Sequence, residues 1–128
     1  MLVQSTILLL CAAGLYASTF MYRKARRAAR GELREPSIVE TPRARVFGGV
    51  SNAAFGIAYY AALAALVPAL GIPLVWWAAC AAAAAAGTFS AYLGYSLLFV
   101  TRAPCPYCWA SHVANWAILA LLLAVRPA

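Results

Sequence analysis

Four long apolar segments, separated by short polar or turn-forming stretches, dominate the pattern along the chain. They cover residues 2–22, 51–70, 74–100 and 105–125, and none of them contains Asp, Glu, Lys or Arg. A helix of about 20 residues is long enough to cross a hydrocarbon core of ~30 Å. Each segment therefore predicts a membrane-spanning helix. The third is long enough to tilt or to project beyond the hydrocarbon.

The connections between these segments predict how the helices follow one another. Residues 23–47 are polar and basic and predict a loop, with a short interfacial helix over residues 23–33. Residues 71–73 read Gly-Ile-Pro and predict a tight turn, and residues 101–104 predict a short loop. We therefore expect an all-α membrane protein, a four-transmembrane-helix bundle that forms a single domain over residues 1–128.

Composition agrees with a membrane protein and excludes several other classes. Of the 128 residues, 66% are hydrophobic and 10% are charged, and the mean hydropathy is +0.81. A soluble domain is roughly half apolar and about a quarter charged. The formal charge of +7 alone suits a nucleic-acid partner, but the basic residues are concentrated beside apolar segments, as in membrane proteins. We expect membrane lipid and no nucleic acid among the partners.

The basic residues also predict an orientation. Nine of the ten lie in residues 23–47 and 101–104, which share one face of a four-span protein, and Arg126 is the tenth. Positive charge is retained in the cytoplasm, so both loops are expected there and both termini outside. Because the charges follow the first apolar segment, it is expected to be a retained helix rather than a signal peptide. The protein is thus predicted to be multi-pass in the plasma membrane.

The candidate chemistry begins at the motif Cys105-Pro106-Tyr107-Cys108. This spacing places two thiols one helical turn apart, where they can form a disulfide. Proline is favoured in the first turn of a helix, so Cys105 is expected near the N-cap, where the positive helix end favours a thiolate. A zinc half-site and two inert thiols are the alternatives. Zinc usually needs four ligands, whereas the chain has one His and no second Cys pair.

Polar residues continue along the same face of the fourth segment. At about 100° per residue, Cys108, His112 and Asn115 fall on one stripe of a helix otherwise made of apolar residues. Polar groups within a membrane usually face the interior of the bundle. We expect a role for His112 in the site and an interhelical hydrogen bond for Asn115.

Other candidates lie in the remaining segments. Asn52 begins the second segment, where a helix cap is its structural alternative, and Phe55 and Tyr59 share its face. Cys11 and Cys80 lie in mid-membrane among small apolar residues. We expect these two thiols to be inert packing residues.

The residues around these candidates resemble one known family, the vitamin K epoxide reductases. The resemblance covers residues 39–120. The matching stretches are Val39-Glu40-Thr41-Pro42, Val46-Phe47-Gly48-Gly49, Asn52-Ala53-Ala54-Phe55-Gly56, Tyr59-Tyr60, Tyr92-Leu93 and Cys105-Pro106-Tyr107-Cys108. A Cys-x-x-Cys motif that opens the last of four spans, with Asn-x-x-Phe-Gly upstream, is a specific combination.

The resemblance implies a function and a role for each candidate. Family members are four-helix oxidoreductases that couple membrane quinones, of the ubiquinone or menaquinone type, to thiol–disulfide exchange and so support disulfide formation. It implies that Cys108 faces the quinone and that Cys105 exchanges with a thioredoxin-fold partner. It also implies that Asn52 binds a quinone carbonyl and that Phe55 packs on the ring. His112 stands where the family commonly has a tyrosine that donates to the quinone.

Two features depart from the family pattern. The loop over residues 23–47 has no cysteine, and Pro36 stands where a relay cysteine is expected, so a partner is expected to reach Cys105 directly. The charges also place the Cys-x-x-Cys motif on the cytoplasmic side, whereas familiar members hold it outside. Two other functions stay open: a soft-metal transporter that uses Cys11 and Cys80 as further ligands, and a non-catalytic membrane scaffold.

Overall fold

A computed structural model describes residues 2–31, 52–100 and 105–125. The described residues are almost entirely helical and contain four helices long and apolar enough to cross a membrane. The predicted fold class, an all-α bundle of four transmembrane helices, is therefore confirmed. The predicted loop at 101–104 and most of the one at 23–47 lie outside the described residues.

The four helices follow the order of the apolar segments. Their bounds are α1 Leu2–Ala29, α2 Asn52–Leu66, α3 Pro73–Tyr95 and α4 Pro106–Ala124. A 3₁₀ turn over Val67–Ala69 extends α2, and a π-helical turn over Ser96–Val100 extends α3.

Helix α1 is longer than its apolar segment predicts. It continues past Tyr22 through the basic stretch to Ala29, where a loop with a separate interfacial helix was expected, and Gly31 follows with φ +71°. The added residues are mostly Arg, Lys and Ala, which are strong helix formers. Because an existing helix grows without a new nucleation cost, the basic residues extend α1 by about two turns.

The turn between α2 and α3 is short, as its sequence predicts. The Ile72 amide donates to the Ala69 carbonyl oxygen at 3.0 Å, and Pro73 starts α3 at a position where a missing N–H costs little. Although this short turn connects α2 to α3, the two helices do not pack closely against each other. Helix α1 packs along α2 and α4, α4 also packs along α3, and α2 touches α3 only briefly.

The apolar core fills the half of the bundle that holds the α2–α3 turn. Its buried members are Ile7, Cys11, Tyr60, Leu63, Val67, Leu70, Trp76, Ala79, Cys80, Ala83, Ile118 and Leu122. The Trp76 indole N–H donates to the Leu122 carbonyl oxygen at 2.8 Å and fastens α3 to α4 there. The other half of the bundle contains a cavity.

Two glycines let α1 and α2 approach closely. The Tyr60 ring lies directly over Gly14, where a Cβ would overlap the ring atoms. A Cβ at Gly56 would lie 2.5 Å from Ser18 Oγ. These contacts show that α1 and α2 are antiparallel. The missing side chain at Gly14 leaves room for Tyr60 to reach across the bundle.

Candidate active site

A disulfide links Cys105 and Cys108 at the start of α4, with their Cα atoms 5.2 Å apart. Cys105 is the N-cap residue, and its sulfur accepts a hydrogen bond from the Cys108 amide at 3.3 Å. The Trp109 amide donates to the Cys105 carbonyl oxygen at 3.1 Å, which closes the first turn. Pro106 begins the helix without an amide that needs a partner. The motif is therefore built into the first turn of a membrane helix.

The two cysteines have different surroundings. Cys108 lines the cavity, whereas Cys105 is only 5% exposed and is not among the residues of the cavity wall. Of the two bonded cysteines, Cys108 is therefore the one that belongs to the cavity wall.

The cavity lies between all four helices and has a volume of about 350 Å³. That volume falls in the range of ligand pockets, which are mostly apolar with a few placed polar groups. Here the polar groups belong to Ser18, Asn52, Tyr59, Tyr60, Ser90, Ser96, Tyr107, Ser111, His112 and Asn115. The remaining wall consists of alanines, leucines, Met21, Phe55, Phe89, Gly56 and Cys108.

Four of the five residues singled out from the sequence meet in this cavity. Asn52 and Phe55 reach it from α2, and Cys108 and His112 reach it from α4. Cys105 joins them through its bond to Cys108. Residues separated by more than 50 positions in the chain thus line one compartment.

Three polar atoms in the wall are buried and lack a hydrogen-bond partner among the described residues. They are the Tyr59 hydroxyl and both ring nitrogens of His112. Burial of an unsatisfied polar group costs about 1–3 kcal/mol. The cavity therefore suits a ligand that is largely apolar and carries polar atoms for these groups.

Two tryptophans flank His112 along α4. The Trp109 ring meets the imidazole edge-on with centroids 5.9 Å apart, and the Trp116 ring lies 6.4 Å away. The Trp116 indole N–H donates to the Gly87 carbonyl oxygen at 3.1 Å, and a Gly94 Cβ would touch the Trp109 ring at 3.5 Å. These contacts hold the helical face that carries His112 against α3.

A polar network joins three helices beside the cavity. The Tyr60 hydroxyl lies 2.5 Å from Asn115 Oδ1 and 2.9 Å from Ser111 Oγ, and Asn115 Nδ2 donates to Ser90 Oγ at 2.6 Å. The expected interhelical hydrogen bond of Asn115 is thus confirmed. Its partners were missed, because the sequence gives no register between helices.

Aromatic residues of α1 cover the motif from one side. The Phe20 ring stacks on Tyr107 with centroids 4.0 Å apart, and Tyr16 lies 6.4 Å from the same ring. Sequence reasoning missed this contact too. Its available signal was the spacing of Tyr16 and Phe20, which places both on one face of α1.

The remaining thiols lie away from the cavity wall. Cys11 and Cys80 are buried in the apolar core. Within the described part of the chain, no three His, Cys, Asp or Glu side chains converge in a cluster that could hold a metal ion.

Comparison with known proteins identifies a family. The sequence model of the vitamin K epoxide reductase family matches residues 5–123, which cover nearly all of the four helices. No curated protein matches the chain. Members of the family are membrane oxidoreductases that link quinones to thiol chemistry. With nearly its whole length matched, this chain belongs to the vitamin K epoxide reductase family.

Proposed function

We propose that this protein oxidises the dithiol of a thioredoxin-fold partner through the Cys105–Cys108 disulfide and passes two electrons to a membrane quinone. The observation that carries the proposal is the position of Cys108, which is half of a disulfide and also part of the wall of a largely apolar, membrane-embedded cavity. The disulfide connects chemistry at the helix end to a ligand compartment inside the bilayer.

The first half of the reaction is thiol–disulfide exchange. A partner thiolate attacks the Cys105 sulfur, the Cys105–Cys108 bond breaks, and Cys108 leaves as a thiolate. The second partner thiol then displaces Cys105, so the partner gains a disulfide and the protein holds two reduced cysteines. The positive end of α4 stabilises negative charge on sulfur during both steps.

The second half restores the disulfide. A bound quinone supplies an acceptor for two electrons and two protons. Cys105 and Cys108 lose those electrons and protons as their sulfur–sulfur bond re-forms. Cys108 is the member of the pair exposed to the cavity, so it is the one that meets the acceptor.

Three wall residues fit the binding of a quinone ring. Asn52 and His112 offer polar groups to its carbonyl oxygens, and Phe55 offers an aromatic surface. The ring nitrogens of His112, which have no hydrogen-bond partner in the described part of the chain, support this assignment. A carbonyl oxygen would give a partner to the nitrogen that carries the hydrogen.

The position of the other thiols favours this function over metal transport. A transport path needs successive soft ligands, and Cys11 and Cys80 were the candidates for them. Both lie in the packed core, whereas the cavity is lined by Cys108. We therefore assign Cys11 and Cys80 no part in the chemistry.

Turnover with both substrates tests the proposal. Purified protein in detergent is mixed with a reduced thioredoxin-fold protein and a short-chain quinone, and the quinone absorbance is followed. We expect a loss of absorbance that is catalytic in the wild type and in Cys80→Ala, and that is absent in Cys108→Ala. Quinone consumption that survives in Cys108→Ala, or that does not require the protein at all, would overturn the assignment.

A further inference from the structure

The Tyr59 hydroxyl is a buried polar group that the proposed mechanism leaves unused. It lines the cavity and has no hydrogen-bond partner among the described residues. Its ring packs edge-on against Tyr60 with centroids 4.9 Å apart, so the side chain is held in place by a residue that is itself fixed. A fixed, buried and unsatisfied hydroxyl in a ligand cavity points to a ligand atom.

The helices place Tyr59 at the same depth as His112. Tyr60, the next residue, lies 2.9 Å from Ser111, the residue before His112, at their hydroxyl oxygens. Tyr59 and His112, each next to one of these two contacting residues, therefore lie near the same level of the cavity. Both carry buried polar atoms that have no hydrogen-bond partner among the described residues. Cys108 lies one helical turn nearer the start of α4.

Asn52 lines the same cavity from the first residue of α2. It precedes Tyr59 by seven residues, which is two helical turns and about 10.5 Å along the axis of α2. The carbonyl oxygens of a para-quinone are about 5 Å apart, and a hydrogen bond of about 2.9 Å at each end extends this span to about 11 Å. This span is of the same order as the Cα separation of Asn52 and Tyr59 along the axis of α2, so a para-quinone can bridge the levels of the two residues.

We propose that the Tyr59 hydroxyl donates a hydrogen bond to the quinone carbonyl that lies farther from Asn52, the same oxygen that His112 binds. A carbonyl oxygen has two lone pairs, so it accepts both donors. This inference rests on the proposed function and deepens it. Tyr59 is then a substrate-binding residue. Its hydroxyl binds the carbonyl oxygen that all para-quinones share and not a ring substituent that differs among them.

Binding to the oxidised protein tests the inference without turnover. Quenching of tryptophan fluorescence gives the Kd, because Trp109 and Trp116 lie beside His112. Tyr59→Phe should raise the Kd about ten-fold, the effect of one lost hydrogen bond. The rise should be equal for a dimethoxybenzoquinone and for menadione. The control Tyr95→Phe removes an exposed hydroxyl outside the cavity wall and should leave both Kd values unchanged.

Thermal unfolding gives a second readout that also checks folding. Without quinone, Tyr59→Phe should unfold at the wild-type temperature or above it, because the variant removes an unsatisfied buried hydroxyl. Added quinone should raise the Tm of the variant less than that of the wild type. A wild-type Kd and Tm shift in the variant, or a Kd change confined to the dimethoxybenzoquinone, would overturn the inference.

The two proposals fail in different ways. Suppose that the wild type binds quinones and that Tyr59→Phe weakens this binding, but that no electrons pass from the thiols to the quinone. The assignment of Tyr59 then stands and the oxidoreductase function falls. If turnover proceeds and Tyr59→Phe binds as the wild type does, the function stands and the assignment of Tyr59 falls.

Discussion

The Tyr60 hydroxyl donates a hydrogen bond of 2.5 Å to Asn115 Oδ1 and so ties α2 to α4 beside the cavity. The ring that carries this hydroxyl lies over Gly14 of α1, and Asn115 continues the connection to Ser90 of α3. One residue from each helix thus takes part in a single chain of contacts. The tie lies seven residues after Cys108 and three after His112 on α4, so it fixes the direction in which both side chains face.

Loss of the Tyr60 hydroxyl should therefore affect the site as well as the fold. Tyr60→Phe keeps the ring but removes the hydrogen bond, which should lower the free energy of unfolding by about 1–3 kcal/mol. It should also lower kcat for quinone reduction, because α4 can rotate and Cys108 no longer holds its direction. Thermal unfolding and steady-state kinetics measure the two effects.

Trp76→Phe is the matched control for this prediction. It removes another buried hydrogen bond to α4, at Leu122, where the core and not the cavity surrounds it. We expect a similar loss of stability with unchanged kcat. Equal kinetic losses in the two variants would show that the tie acts on stability alone.

Direct exchange with the partner predicts a trapped intermediate on Cys105. In Cys108→Ala the internal disulfide cannot form, so the free Cys105 thiolate should attack the disulfide of an oxidised partner, whose other sulfur leaves as a thiolate. Because no Cys108 thiol is present to displace the partner, the mixed disulfide on Cys105 should persist. Non-reducing electrophoresis and mass spectrometry identify the linked cysteine. In the converse variant Cys105→Ala, no adduct is expected, because Cys108 faces the cavity. An adduct on Cys11 or Cys80 would contradict the proposed route.

Removal of the Asn52 side-chain amide should weaken quinone binding without stopping electron transfer. Asn52→Ala is expected to raise the apparent KM for quinone about ten-fold, because one hydrogen bond to a buried carbonyl is lost. Steady-state rates against quinone concentration measure the change. His112→Tyr should retain activity, since it restores the hydroxyl donor that family members commonly have. Unchanged KM in Asn52→Ala together with inactive His112→Tyr would place the quinone elsewhere.

The orientation in the membrane is a prediction from charge. Five basic residues lie at the end of α1 and directly after it, Arg23, Lys24, Arg26, Arg27 and Arg30, and we expect them in the cytoplasm with the motif. A reporter that is active only in the cytoplasm, fused after Ala128, should then give no signal. Neutralisation of the five residues together should weaken that bias. A strong signal from the unaltered fusion would return the motif to the outer side.

The sequence predicted the parts of this structure that depend on local pattern. Uncharged apolar length gave the four helices, and the 100° step along α4 placed Cys108, His112 and Asn115 on one face, which the cavity confirms. The predicted end of α1 was wrong, because hydropathy indicates which residues lie in the hydrocarbon core and not where the helix stops. The high helix propensity of the Arg, Lys and Ala residues after Tyr22 extends the helix to Ala29.

Contacts between helices were beyond the sequence. The register that brings Tyr60 to Asn115, or Phe20 to Tyr107, depends on how side chains of different helices interlock. The burial of Cys105, which is 5% exposed, also has no local signature in the sequence. The sequence marked Asn52 and Phe55 as candidates and the resemblance to the family implied their roles, and the fold shows that they share a cavity with Cys108.

A single turnover without any partner tests the central claim most directly. Fully reduced protein is mixed with one equivalent of quinone, quinol is measured by absorbance, and the remaining thiols are counted by alkylation and mass spectrometry. We predict one quinol per protein, with Cys105 and Cys108 protected as a disulfide and Cys11 and Cys80 still alkylated under denaturing conditions. Quinol formed without the loss of the Cys105 and Cys108 thiols, or their oxidation without quinol, would contradict the account.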